Sequence, residues 1–175
     1  MSFQFLIVQI KSMFFKDKNE YINNYYRKQG MFIGSRTHIF SEIRSLEPYL
    51  IKIGNDVTIS TDVKLITHDA SIGTLCGRDK ASDICGEISI GNNTFIGLGS
   101  IIMYGVTIGE RCIIAAGAVV TRSVPDGEIW GGNPARKLGS TEEFLRKNNE
   151  FALQLHGISM KERKTRISKG TLKQR

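Results

Sequence analysis

Histidine, cysteine, proline and tryptophan are all scarce in this 175-residue chain, which has three histidines, three cysteines, three prolines and one tryptophan. An odd and small number of cysteines does not provide the paired framework on which small secreted domains depend. Free thiols in a reducing compartment are the simpler interpretation, so a cytoplasmic location is expected. The few histidines also limit where a general base or a histidine metal site could lie.

Long apolar runs are absent as well, because no stretch approaches the roughly 18 residues that a transmembrane helix needs. Residues 3–10 are apolar apart from Gln4 and Gln9. The stretch lacks a basic start and a small-residue cleavage site, so it makes a poor signal peptide. We expect residues 1–30 to form a partly helical N-terminal segment whose first helix packs on the main fold. Membrane-surface binding by that helix is the alternative.

The net charge of +7 is unevenly distributed. Residues 161–175 contain seven basic residues and one acidic residue, a net +6, which leaves +1 for residues 1–160. Such a basic tail is expected to be solvated and disordered. The alternative is peripheral contact with an anionic polymer or with lipid head groups. No aromatic residue interleaves the charges, so no nucleic-acid partner is expected.

The strongest pattern is a branched aliphatic residue at every sixth position: Ile84, Ile90, Ile96, Ile102, Ile108, Ile114 and Val120. A helical face repeats every three to four residues, so this period is not helical. A strict six-residue period indicates a parallel β-helix of short strands and regular turns. The same period occurs earlier, at Ile53, Ile59 and Leu65, and more faintly at Ile33 and Ile39.

The period slips between Leu65 and Ile90, which are 25 residues apart, four hexads plus one. The slip coincides with the polar, glycine-containing stretch 69–87, which we interpret as a loop extruded from residues 31–138 of the β-helix. After the coil, Ser140-Thr141-Glu142-Glu143 resembles a capping box. We expect a C-terminal helix of about 141–156 within the segment 139–160.

The hexads resemble those of hexapeptide-repeat acetyltransferases, over roughly residues 51–138. The resemblance implies an all-β fold, a left-handed parallel β-helix with three hexads per coil, one extruded loop and a C-terminal α-helix. It also implies a homotrimer with each site between two subunits. The match is similar to acetyltransferases from capsule, O-antigen or exopolysaccharide clusters.

His68 is the leading candidate for a catalytic residue, because it stands where the repeat ends and the long loop begins. Histidine is suited to take a proton near neutral pH. In the resembling sugar O-acetyltransferases a histidine at this place is the general base, which implies that role for His68. A carboxylate would orient the ring of His68, and the sequence does not decide which one. The candidates are Asp69, Asp56, Asp62 and Glu87.

The end of the coil, residues 114–125, and the following stretch 131–136 resemble the coenzyme A groove of the same family. The resemblance implies that acetyl-CoA is the co-substrate, with backbone contacts at Leu98 and Ala116. It implies that Thr121 and Arg122 lie near the adenosine and that Arg136 binds a phosphate. Arginines in a glycine-rich neighbourhood suit an extended anionic ligand.

The expected function is therefore transfer of an acetyl group to a hydroxyl of a sugar or bacterial surface polysaccharide, without an acyl-enzyme. An amino-sugar N-acetyltransferase is the nearest alternative. A zinc carbonic anhydrase on the same coil would need three histidine ligands. His38 and His156 are poorly placed for that role, so no metal is expected. A non-enzymatic scaffold is the third alternative.

Overall fold

Short strands stacked in parallel form the body of the protein, whose computed structural model describes residues 2–77, 79–80, 82–155 and 157–170. The helices, in chain order, are α1 (Phe3–Ser12), α2 (Lys18–Lys28), α3 (Ser71–Cys76), α4 (Thr141–Asn148) and α5 (Met160–Lys169). None of the helices within these ranges combines the length and apolar character needed to cross a membrane.

The strands mostly make three parallel sheets, which are the three sides of a coil. In chain order they are β1 (Phe32–Ile33), β2 (His38–Ile39), β3 (Ile51–Ile53), β4 (Thr58–Ile59), β5 (Lys64–Leu65), β6 (His68–Asp69), β7 (Ile84–Cys85), β8 (Ile88–Ile90), β9 (Phe95–Ile96), β10 (Ile101–Ile102), β11 (Thr107–Ile108), β12 (Ile113–Ile114), β13 (Val119–Val120), β14 (Glu128–Gly131) and β15 (Arg136–Ser140). The first side is β1-β3-β8-β11, the second is β2-β4-β9-β12-β14, and the third is β5-β10-β13. Strands β6, β7 and β15 lie in antiparallel hairpins, the last of them paired with β14.

The six-residue period places the aliphatic anchors in stacks inside this coil. Ile90 lies beside Ile108, and Ile96 beside Ile114, each pair 18 residues apart as three hexads per coil predict. These side chains are almost completely buried. Small residues such as Thr94, Ser100 and Ala118 fill remaining inward positions and are buried.

Close approach of successive turns explains glycine at the second position of several hexads. A Cβ on Gly97 would lie 2.5 Å from the backbone nitrogen of Ala116 in the next coil. Two residues later, Gly99 has a φ of +68° and Gly117 a φ of +71°. Glycine adopts this left-handed conformation without steric cost, which lets the chain turn the corner between the second and third sides.

The extruded loop interrupts the coil between the third side and the first. Leu65 pairs with Ile102, 37 positions further on, whereas Ile102 pairs with Val120, only 18 positions further on. The 19 extra residues equal the length of the segment 69–87. Within this segment β7 pairs antiparallel with β6, and α3 lies between them. Ile84 belongs to this hairpin and is exposed, so its interpretation as the first anchor of the coil was wrong.

The two N-terminal helices pack on the first coil and cover its edge. On α2, Asn23 donates to the carbonyl of Thr37 at 2.8 Å, and Arg27 donates to the carbonyls of Ile33 and Gly34. The buried Tyr26 hydroxyl donates to the Ser41 carbonyl and accepts from the Ile43 amide, and burial raises the pKa of this phenol. Helix α2 thereby fixes the course of residues 41–46, which lead to the site described below.

The C-terminal part differs from the expected single helix over 141–156. Ser140 caps α4 by accepting from the Glu143 amide, but α4 ends at Asn148. The Asn148 amide group donates to the Phe144 carbonyl at 2.6 Å, a local bond that competes with helix propagation.

The expectation of disorder in the basic tail was wrong for the residues that form α5. Ser159 caps this helix by accepting from the Glu162 amide, and Glu162 pairs with Arg166 one turn later at 2.7 Å. A capping bond and an ion pair four residues apart both favour a helix despite the excess positive charge.

Candidate active site

His68 is held by a glutamate from the preceding coil. Its Nδ1 lies 2.8 Å from Oε2 of Glu47. The His68 side chain is one-third exposed, at 33%, whereas that of Glu47 is 18% exposed. An ionised carboxylate can only accept a hydrogen bond, so this contact assigns the ring proton to Nδ1. The lone pair of His68 then lies on Nε2, away from Glu47.

A closed circuit of hydrogen bonds fixes the Glu47 carboxylate. The Glu47 amide donates to Ser45 Oγ at 3.0 Å, and Ser45 Oγ lies 2.7 Å from Thr67 Oγ1. Thr67 in turn donates to Glu47 Oε2 at 2.8 Å. Because Thr67 uses its hydroxyl proton for Glu47, Ser45 is the donor to Thr67. The carboxylate that orients His68 is therefore itself oriented.

These bonds also keep Glu47 charged. The hydroxyl of Thr67 and, next, the ring of His68 hold the pKa of the Glu47 carboxyl below its ordinary value. Hydrogen bonds to the ionised form of a carboxyl act in this direction. A fixed negative charge beside Nδ1 would stabilise an imidazolium if Nε2 accepted a proton.

Three of the four carboxylates considered from the sequence have other contacts. Asp69 accepts from the Ser71 amide at 2.8 Å, Asp56 is paired with Arg36, and Glu87 is paired with Lys52. Asp62 occupies a corner with a φ of +60°. Glu47 was missed because it precedes the block of clear hexads.

A signal for Glu47 does exist in the sequence. Ile33 and Ile39 pair with Ile53 and Ile59, each 20 residues later. The same offset places Glu47 below Thr67, next to His68. The faint first copy of the repeat therefore points to Glu47 as the neighbour of Thr67 only when this offset is extended past the last clear hexad.

His68 opens onto a groove of about 500 Å³ between the N-terminal helices and residues 42–46. The lining includes Gln4, Tyr25, Gln29, Arg44 and Leu46. A volume of this size lies within the usual range for small-molecule sites. Amide and guanidinium groups beside an aromatic ring can bind a polar, hydroxyl-rich ligand.

Leu98 and Ala116 occupy the corner between the second and third sides, one coil apart. The Gly117 amide donates to the Leu98 carbonyl at 2.8 Å, which joins the two turns. Neither the Leu98 amide nor the Ala116 amide has an acceptor within the described ranges. Both residues are exposed, so this corner presents two exposed residues whose amides are not used in the backbone hydrogen bonds of the coil.

The hairpin of β14 and β15 brings Arg136 towards the same corner. A Cβ on Gly131 would lie 2.9 Å from the Ala115 Cβ, and the Ala135 amide donates to the Val119 carbonyl. The Arg136 guanidinium donates to the Ala135 carbonyl at 2.8 Å. Neighbouring Lys137 is neutralised by Glu128, whereas Arg136 has no carboxylate partner in the part of the chain that is described.

Thr121 and Arg122 do not join this cluster. They follow β13 and are exposed at the far edge of the third side, above the corner from which His68 projects. A side of six residues spans at most roughly 20 Å. One chain therefore brings Leu98, Ala116 and Arg136 together but places His68, Thr121 and Arg122 at the opposite edge.

The carbonic anhydrase alternative would require clustered metal ligands. Among the described residues, no three histidine, cysteine, aspartate or glutamate side chains are arranged to hold a metal ion. His38 lies on the second side and His68 beyond the third. His156 lies outside the described residues.

Comparisons with known proteins agree with this architecture. A family model described as the hexapeptide repeat of succinyl-transferase matches residues 87–122. The chain is 42% identical over 141 residues to protein CapG of Staphylococcus aureus, a match that covers 79% of this chain and 82% of CapG. It is 31% identical to the galactoside O-acetyltransferase of Escherichia coli over 59% of this chain and 51% of that protein.

A solved structure extends the likeness beyond sequence. The hexapeptide-repeat acetyltransferase VCA0836 of Vibrio cholerae, crystallised with acetyl-CoA, matches with a TM-score of 0.61 and 27% identity. That match covers 76% of this chain and 82% of the other.

The coil of hexads and these matches define a hexapeptide-repeat transferase. More narrowly, the chain belongs to the hexapeptide-repeat acetyltransferase family and is an acyltransferase. The predicted fold class, a left-handed parallel β-helix, is confirmed.

Proposed function

We propose that this enzyme transfers an acetyl group from acetyl-CoA to a hydroxyl of a sugar or of a bacterial surface polysaccharide, and that it works in the cytoplasm. The observation that carries the proposal is the His68–Glu47 pair at the mouth of a groove with polar and aromatic walls. The VCA0836 structure with acetyl-CoA and the likeness to a galactoside O-acetyltransferase support the donor and the acceptor class.

In the proposed mechanism His68 acts as the general base. Nε2 takes the proton of the acceptor hydroxyl as that oxygen attacks the thioester carbonyl carbon, and backbone amides stabilise the oxyanion of the tetrahedral intermediate. The intermediate then expels the thiolate of coenzyme A, and the imidazolium returns the proton to sulfur. Because attack is direct, the mechanism needs no covalent acyl-enzyme.

We propose that the corner with two free amides holds the pantetheine arm. The amides of Leu98 and Ala116 can donate to its carbonyl oxygens, one coil apart. Arg136 would bind a phosphate, while Thr121 and Arg122 would contact the adenosine end, because an unpaired guanidinium is suited to phosphate.

We also propose that the working enzyme is a homotrimer. His68 and the amide corner (Leu98 and Ala116) lie on opposite edges of the third side. In a trimer, His68 of one subunit would face the amide corner of the next subunit, and the two together would form one site. Isologous dimers pair identical patches, whereas a closed ring pairs two different ones.

The function can be tested by an acceptor screen with acetyl-CoA labelled in its acetyl group. Free sugars, nucleotide sugars and bacterial polysaccharides are offered in parallel with amino sugars, and released coenzyme A is compared with acetylated product. We expect hydroxyl acetylation that is lost on mild alkaline treatment. Alkali-stable acetylation of amino sugars alone would instead establish an N-acetyltransferase.

Glu47→Gln is expected to lower kcat by about tenfold to a thousandfold, because the neutral amide no longer fixes the ring of His68 or stabilises its imidazolium. The KM for acetyl-CoA should stay near the wild-type value, since Glu47 contacts neither amide of the corner. Asp69→Asn is the matched control, because it removes a carboxylate next to His68 that bonds Ser71 instead.

The loss of thermal stability in Glu47→Gln is also expected to depend on pH. The pKa of Glu47 is lowered from 4.5 in the folded protein, so its stabilising contribution is present above pH 4.5 and is lost as pH falls through the lowered value. The difference in Tm between wild type and Glu47→Gln should therefore be fully present above pH 4.5 and shrink as pH falls below it. Unchanged kcat together with a pH-independent Tm difference would contradict the positioning role.

A further inference from the structure

Helix α1 is apolar on two faces, and only one of them is used inside the protein. Phe5 and Val8 are buried, and Phe5 packs near the ring of Tyr26. The other face carries an outer stripe formed by Phe3, Ile7, Ile10 and, just past the last turn, Phe14. These positions are three or four residues apart, so they lie along one line of the helix.

The outer stripe is exposed to a degree that is unusual for such residues. Phe3 is 78% exposed, Ile10 is 49% exposed and Phe14 is 86% exposed. The turn that presents Phe14 is well defined, because its amide donates to the Lys11 carbonyl at 3.1 Å. Next to it, Phe15 stacks on Tyr21 with ring centroids 4.2 Å apart. Contiguous apolar surface of this kind marks an interaction site.

The charges around the stripe indicate what it binds. Residues 2–16 contain Lys11 and Lys16 and no carboxylate, and Glu42, which accepts from the Ser2 amide, is paired with Arg44. A helix with aromatic and aliphatic residues on one face and flanking lysines fits the interface of an anionic bilayer. Its lysines can extend their ammonium groups to lipid phosphates while their alkyl chains stay with the apolar face.

We propose that the outer stripe of α1 binds the surface of a membrane that contains anionic phospholipid. The helix has ten residues and is about 15 Å long, half the thickness of the hydrocarbon layer, and its inner face is already buried. It would therefore lie in the plane of the interface. Gln4 and Phe5 of the same helix line the groove beside His68, so lipid contact would hold that groove next to the head groups.

Vesicle co-sedimentation of the full chain tests the proposal without any measurement of activity. We expect binding to vesicles of phosphatidylglycerol and phosphatidylcholine, and weaker binding to phosphatidylcholine alone. The double variant Phe3→Ser/Phe14→Ser should raise the lipid concentration for half-binding at least about tenfold. Lys11→Gln/Lys16→Gln should raise it about tenfold for anionic vesicles only.

Phe32→Ser is the matched control, because Phe32 is 65% exposed but belongs to β1 of the coil and not to helix α1. Its binding should equal that of the wild type. The proposal is overturned if the wild type stays in the supernatant with anionic vesicles, or if both phenylalanine replacements leave binding unchanged. If the wild type ignores lipid and the double variant changes mass in light scattering, the stripe is a contact between copies of the chain.

Discussion

Replacing His68 with alanine is expected to lower kcat by about two to four powers of ten, the usual contribution of a positioned general base. Without Nε2, no group held by Glu47 can take the proton of the attacking hydroxyl. The residual rate would come from holding the acceptor and the thioester together. The measurement is steady-state acetyl transfer to whichever acceptor the screen identifies.

Two controls separate chemistry from folding in this experiment. His38→Ala removes a histidine of similar burial from the second side, far along the coil from the loop, and should keep nearly full activity. Thermal unfolding of His68→Ala should stay close to that of the wild type, since the ring is partly exposed and contributes little to the core. A His68→Ala enzyme with near wild-type turnover would eliminate the proposed mechanism.

The dependence of His68 on Glu47 shows where sequence reasoning reached its limit. His68 could be found because it stands at the break in a regular period, and the break is visible in the sequence alone. Glu47 lies 21 residues away in a stretch with no clear hexads. Its role depends on which residue of the first coil stacks below Thr67. Residues of the first coil stack on residues 20 positions later, rather than 18, and this difference places Glu47 below Thr67.

The coil itself was predictable because its core repeats one simple rule. Each branched residue packs on the one three hexads later, so the six-residue spacing, together with the three hexads per coil that the resemblance implies, fixes the register from Ile90 to Val120. The N- and C-terminal segments have no six-residue repeat. Helix α5 depends on a single capping serine and an ion pair, and the net charge of the tail obscured both.

The coenzyme A residues predicted from resemblance raise a different question, because one chain divides them between two edges of the third side. Leu98, Ala116 and Arg136 lie at one edge, and Thr121 and Arg122 at the other with His68. The arm of coenzyme A is long, so a site within one chain is a physical alternative to a site between subunits. Inactive variants at the two edges can distinguish these arrangements.

Ala116→Pro removes the N–H group of the amide corner by a substitution that suits the local backbone conformation. The Ala118 amide donates to the Ala115 carbonyl at 3.3 Å and Gly117 has a φ of +71°, the pattern of a type II turn with Ala116 at its second position. Proline is favoured at that position, yet it removes the N–H group that the pantetheine arm would use. Ala116→Ser keeps the N–H group and serves as the control.

Mixing His68→Ala with Ala116→Pro should restore activity that neither variant has alone. If each site takes its histidine from one subunit and its amide corner from the next, random equimolar trimers have both halves intact at about one interface in four. Subunits are mixed by co-expression or by refolding together, and transfer is measured per mole of chain, with light scattering to confirm the trimer. About a quarter of wild-type activity is expected. If both halves of the site belonged to one chain, every subunit would carry a defect, and the mixture would show no more activity than the better of the two variants.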